Sequence, residues 1–155
     1  MEKKTKIEAE EGKQDLFIIR EFELPLHLLF KAYKDPRIIE QWMGTRVLKL
    51  ENQKHGSWAF ETRNPEGKVV FKANGAIHEF IPDTRIIRTF EMENAAFGVQ
   101  LEHLEFTEVS ESVSQLRIHT VYQSNAQRDL MLKYGMSAGI NLAHNRLQTI
   151  VAPLI

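Results

Sequence analysis

Residues 124–155 read SNAQRDLMLKYGMSAGINLAHNRLQTIVAPLI, and the reading of this stretch decides the fold. Ser124 followed by Gln127 has the spacing of a capping box, in which a hydroxyl and an amide satisfy the free N–H groups of a helix start. No proline follows until Pro153, so the spacing predicts one helix of about seven turns. On a helical wheel Leu132, Met136, Ile140, Ala143, Leu147 and Ile150 form a stripe with steps of three and four. Met131, Ala138 and Leu142 widen it to roughly half the circumference. An arc that wide calls for a curved partner, since one flat neighbour would leave much of it wet. Gly135 and Gly139 fall inside the arc, and each costs a helix about 1 kcal/mol relative to alanine. They imply close backbone approach or space left open.

The partner is expected upstream, where the chain is almost all strand. Asp15 to Glu23 is rich in β-branched and aromatic residues and reads as a strand. Pro25 suits the first turn of a helix whose apolar side is Leu28, Leu29, Ala32 and Tyr33. Asp35-Pro36 starts a second short helix through Trp42, and Gly44 ends it. Strands follow: Thr45 to Glu51, Gly56 to Thr62, Val69 to Ile81, Arg85 to Met92, Val99 to Thr107 and Val113 to Tyr122. Asn64-Pro65-Glu66-Gly67 is a tight turn with glycine able to take a positive φ. Gly75, inside a long strand, points to a bend or bulge. Antiparallel strands with one long terminal helix make an α+β domain whose sheet curls around that helix.

Bulk properties narrow the function. At 155 residues, with 43% hydrophobic and 26% charged residues, the chain fits one globular domain. Residues 1–14 are polar and expected to be a flexible segment, with Lys6 to Ala9 able to extend the first strand; residues 15–155 form the single domain. The formal net charge is −1 and no basic face runs along the chain, which argues against nucleic acid. Cysteine is absent, excluding disulfides and thiolate chemistry and fitting a reducing cytoplasm. The N-terminus lacks an apolar signal region, and the longest uncharged run is too short to insert in a membrane. A cytoplasmic protein, monomeric or weakly dimeric, is expected.

Three motifs carry a resemblance. EFELPLHLLFKAYKDPRIIEQWMG, NGAIHEFIPDTRIIRTFE and QSNAQRDLMLKYGMSAGINLAHNRL occur in this order. Together they resemble the family named for an activator of the heat-shock ATPase chaperone (activator homologue 1-like). The likeness extends from Asp15 to Leu147, and the chain departs from the family pattern at Thr45, where proline is common. The resemblance implies the helix-grip fold of the lipid-transfer, birch-pollen-allergen and polyketide-cyclase superfamily, a curved sheet gripping a long C-terminal helix with a cavity between. Chaperone contact is the partner implied by the family name, although activators of that name carry a separate N-terminal domain for which this chain has no room.

Few residues stand out as candidates for chemistry over plain packing. Gly135-Met136-Ser137-Ala138-Gly139 is a literal G-x-S-x-G, yet it starts well inside a helix and has no strand before it, so packing is preferred to a nucleophile elbow. The six histidines show no metal spacing. His103 and His119 fall on the polar phase of their strands, and His78-Glu79 would point to opposite faces unless a bulge intervenes. If Phe90 faces the helix, so do Ile86 and Arg88. A hairpin centred near Ala95 then sets Arg88 across from Glu102, which shares its phase with Leu104 and Phe106. The alternatives are an Arg88–Glu102 pair on the concave face, orienting a ligand, or an outward pair with the register slipped by one. Arg146 is expected to snorkel to the rim or to pair with a carboxylate on the sheet.

The candidate ligand-binding residues are Trp42, Trp58, Phe60, Phe71, Arg88, Phe90, Glu102, Phe106, Tyr122, Met136 and Ile140. The favoured function is binding of a small apolar or amphipathic molecule, with no cofactor, no metal and no catalytic residue assigned. The alternatives are a polyketide cyclase- or aromatase-like enzyme, for which Glu102, Arg88 or Glu79 would be the acid–base groups, and a chaperone-interacting module.

Overall fold

The computed structural model describes residues 3–93, 95 and 97–155; Met1 and Glu2 of the N-terminal segment lie outside them. Eight strands form one antiparallel sheet: β1 (Lys6–Glu8), β2 (Asp15–Phe22), β3 (Arg46–Leu50), β4 (Ser57–Arg63), β5 (Val69–Ile81), β6 (Arg85–Met92), β7 (Val99–Ser110) and β8 (Val113–Val121). Their spatial order is β1-β2-β8-β7-β6-β5-β4-β3. Helices α1 (Leu26–Lys34) and α2 (Pro36–Met43) follow β2, and α3 (Asn125–Lys133) and α4 (Met136–Val151) follow β8. The curved sheet packs its concave face against these helices, and the α+β helix-grip architecture is the one expected.

The local reasons are those the residues carry. Asp35 caps α2 by accepting a hydrogen bond from the Arg37 N–H at 3.0 Å, and Pro36 fills the first helical position, where no N–H is needed. Gly44 ends α2 at φ 64°, a left-handed conformation that glycine adopts freely. Along β2 and β8 burial alternates residue by residue, as one buried face requires. Leu16, Ile18, Leu104, Leu116 and Ile118 thereby join Phe22, Leu29 and Phe30 in the main core. A second cluster of Ile39, Trp58, Phe60, Ala73 and Ile77 lies toward the β3–β5 side.

Four expectations are corrected. The C-terminal stretch is two helices, because Gly135 takes φ 78° and breaks the hydrogen-bond ladder between α3 and α4. Ser124 caps α3, accepting from the Gln127 N–H at 3.2 Å, but the return half of the capping box is not made, since Gln127 Oε1 is buried without a partner. The apolar arc is also narrower, since Leu142 is 58% exposed and Ala138 is exposed. The N-terminal segment is not all frayed: β1 pairs with β2, and Thr5 bonds through its N–H to Asn141 Oδ1 at 3.0 Å. Finally, the bulge in β5 sits between Ile77 and Glu79, not at Gly75. Gly75 lies opposite Trp58 in the β4–β5 register, and a Cβ there would fall 1.9 Å from the Thr89 carbonyl oxygen and 2.5 Å from Trp58 Nε1. That glycine is required by the indole lying across the strand.

Arg128, in α3, is 3% exposed and donates through Nη1 to the Glu10 and Asp15 carbonyls at 2.6 and 3.0 Å. It ties α3 to the start of β2.

Candidate functional site

The sheet, α2 and the α3–α4 break line a half-open cavity of about 620 Å³ between the two core clusters. Its walls are mainly aromatic and aliphatic, and α4 contributes Met136, Gly139, Ile140, Ala143 and His144. No atom lies within 4 Å of where a Cβ on Gly135 or Gly139 would stand; both are exposed at the rim of the cavity, and neither makes a close backbone approach. Of the two readings of those residues, the structure takes the second.

One charged spot interrupts the apolar wall. Arg88 and Glu102 are register partners on β6 and β7, on the concave face, with Nε donating to Oε1 at 2.9 Å. The slipped-register alternative is thereby removed. Gln100 lies two residues from Glu102, on the same face, and donates through Nε2 to the other carboxylate oxygen at 3.0 Å. The Arg88 guanidinium carbon lies 5.2 Å from the Trp58 ring centroid, within cation–π range. Trp58 is in turn fixed by its indole N–H, which donates to the Thr89 carbonyl at 3.2 Å.

A second polar group lies where α1 and α4 meet. His144 is 3% exposed, with Nδ1 2.7 Å from Thr5 Oγ1 and Nε2 3.4 Å from Tyr33 Oη. Burial, with a smaller contribution from the Arg20 charge, pushes its pKa down to about 3, so the imidazole is neutral near pH 7. Burial likewise pushes the Tyr33 and Tyr122 phenols up, and both stay protonated. The Tyr122 hydroxyl donates to Met136 Sδ at 3.7 Å.

Trp42, Phe60, Phe71, Arg88, Phe90, Glu102, Tyr122, Met136 and Ile140 all line the cavity, whereas Trp58 and Phe106 do not. Trp58 lies behind the wall, covered by Phe60 and Phe90 at ring distances of 4.7 and 5.4 Å. Phe106 is capped by α1, packing on Phe30 at 4.9 Å and Tyr33 at 5.5 Å. Gln100, His144, Tyr33, Phe97 and Tyr134 also line the cavity and are absent from the sequence candidates. The alternation that placed Glu102 inward carried Gln100 with it, so that signal was present. Phe97 and Tyr134 meet at 5.8 Å across a hairpin and a helix break, for which the sequence has no comparable period.

Other candidates resolve into structural roles. Ser137 is exposed in the first turn of α4, preceded by α3, so the G-x-S-x-G motif forms no elbow. His119 pairs with Asp15 at 2.8 Å and stacks on Phe17, on the outer face. Glu79 pairs with Arg85 while His78 is exposed. Arg146 donates to the Trp42 carbonyl at 3.0 Å and not to a sheet carboxylate. Among the described residues no cluster of three His, Cys, Asp or Glu side chains suits a metal, and no helix is long and apolar enough to cross a membrane.

Fold and site together define a helix-grip domain with an apolar cavity holding one ion pair. Within that class the chain belongs to the family "Activator of Hsp90 ATPase homolog 1-like protein", which matches residues 23–152. No curated protein matches it in sequence. Among solved structures it resembles protein Ms6760 from Mycobacterium smegmatis, with TM-score 0.83, 18% identity and 96% of each chain covered. A Rhodobacter sphaeroides protein gives TM-score 0.83 at 21% identity, covering 96% of this chain and 99% of that one. An HSP90 activator from Plasmodium falciparum gives TM-score 0.56 at 17% identity, over 70% of this chain and 73% of the other. At these identities the likeness is one of fold.

Proposed function

We propose that this protein binds a small apolar or amphipathic molecule in the cavity between its sheet and its C-terminal helices. The observation that carries this reading is the cavity itself, about 620 Å³ with mostly apolar walls and a few convergent polar groups. Sites for small molecules have this size and makeup. Gly135 and Gly139 are among its lining residues and present no side chain to it. Binding is favoured over cyclase-like catalysis because an acid–base group must be free to move a proton. Glu102 is the one carboxylate lining the cavity among the described residues, and both its oxygens are already engaged. Contact with a chaperone rests on the family name alone, and a cytoplasmic location rests on the cysteine-free composition.

The test is mass spectrometry of organic extracts from natively purified protein, alongside titration with an apolar fluorescent dye. A stoichiometric apolar compound, or saturable dye binding that Gly139→Leu weakens, is expected. No compound from several expression hosts together with no saturable binding would overturn the reading.

A further inference from the structure

We propose that the cavity selects a neutral, largely apolar molecule carrying one acceptor oxygen of the ketone, ester or lactone kind, which takes its hydrogen bonds from the η nitrogens of Arg88. This rests on the ligand-binding reading above and narrows it to a chemical class.

The argument begins with how Arg88 is held. A guanidinium has five N–H donors in a fixed plane. Glu102 takes the Nε–H at 2.9 Å, and the face lies over Trp58. Both η nitrogens are left without a hydrogen bond among the described residues. Neither belongs to the buried polar atoms that lack a partner, so they open onto the cavity that Arg88 lines. The edge and the face of the group are fixed, and its remaining donors are presented to whatever enters. Gln100 holds the second Glu102 oxygen at 3.0 Å, so the carboxylate cannot easily rotate to reach those donors. This is a preorganised donor fork.

Charge then selects among acceptors. Arg88 and Glu102 are the only fully charged groups among the described lining residues, and they cancel. A carboxylate ligand would bring an uncompensated charge into apolar surroundings, which is unfavourable unless Glu102 is displaced. A pure hydrocarbon would cover the η nitrogens and leave them unmet, forfeiting the desolvation of several donors. A neutral carbonyl oxygen meets the donors without adding charge. The aromatic lining from Trp42, Phe60, Phe71 and Phe90 suits a flat or ringed body.

Three near-isosteric probes separate the possibilities: 2-acetylnaphthalene, 2-ethylnaphthalene and 2-naphthoate, measured by equilibrium dialysis at pH 7. The ketone is expected to bind more tightly than either of the others by about tenfold or more, the scale of a hydrogen bond to a charged donor. In the double variant Arg88→Met/Glu102→Met, which removes both charges and strands neither, ketone and hydrocarbon affinities should converge while hydrocarbon binding persists. Circular dichroism and urea unfolding verify that this variant folds; should it not, Arg88→Lys, which keeps the charge and loses the fork, should lose most of the ketone preference. Equal affinity of ketone and hydrocarbon for the wild type would overturn the inference and leave the binding reading intact. So would naphthoate binding as tightly as the ketone, which marks an acid site. Failure of all three probes would also overturn the inference, and joined with no co-purifying compound and no saturable dye binding it would overturn the binding reading as well.

Discussion

Replacing Gly75 by alanine adds one methyl group at a place where the structure leaves no room for it. Its Cβ would stand 1.9 Å from the Thr89 carbonyl oxygen and 2.5 and 2.7 Å from Trp58 Nε1 and Cε2. The carbonyl belongs to the neighbouring strand β6, so it cannot swing aside like a side-chain tip. The indole can move only by giving up its hydrogen bond to that same carbonyl at 3.2 Å. Overpacking of a filled site costs about 1–3 kcal/mol, and stranding a buried donor and acceptor costs about 1–3 kcal/mol more. The expected loss is about 2–6 kcal/mol, a large fraction of the ~5–15 kcal/mol that stabilises a typical domain. Urea unfolding followed by tryptophan fluorescence measures it directly, since Trp58 is one of two tryptophans and the one displaced. The same displacement withdraws the ring from beneath Arg88, so ligand affinity should fall with stability. A loss below about 0.5 kcal/mol, with an unchanged emission maximum, would refute the close-approach explanation of this glycine.

Gly139→Ala should have the opposite sign, since no atom lies within 4 Å of the new Cβ and helix propensity favours alanine by about 1 kcal/mol; a rise in the urea midpoint checks it. Arg128→Met removes two hydrogen bonds from a buried guanidinium to the Glu10 and Asp15 backbone carbonyls and should cost about 2–3 kcal/mol, read as the difference in unfolding free energy from wild type. His144 gives a pH dependence. In the unfolded chain it takes up a proton near 6.5, whereas the folded site resists protonation down to about 3. Its contribution is therefore complete above pH 6.5 and is lost as the pH falls toward 3, at up to about 1.4 kcal/mol per pH unit. Unfolding free energies of wild type and His144→Gln between pH 7 and 4 should diverge in slope, and parallel slopes would refute the assignment.

Much of the inward face of the sheet was legible in the sequence because strand alternation is a local property with a period of two. With Phe90 and Leu104 inward, alternation carries Arg88 and Glu102 inward too, but a register slipped by one would have turned the pair outward, and the ladder between β6 and β7 decided between them. The same rule places Gln100 inward, an uncharged residue whose role lies in its amide donating to the Glu102 carboxylate. The helix caps at Asp35, Gly44 and Ser124 were legible for a similar reason, as each acts within a few residues of its own position.

The tertiary structure decided what depends on several elements at once. Periodicity alone ran α3 and α4 together, because it carries no backbone dihedral and the positive φ of Gly135 interrupts no hydrophobic step. It assigned Trp58 and Phe106 to the cavity wall because both point inward. Whether an inward side chain meets space or another ring depends on what lies above it, here Phe60, Phe90 and α1. The sequence by itself determined the succession of the main strands and helices and set Arg88 across from Glu102, consequences of local periods and short turns, while leaving open whether that pair faced inward or outward. Only the tertiary structure decided that the last helix is broken and that the volume beneath it is open, because a cavity is the difference between surfaces contributed by strands and helices far apart in the chain.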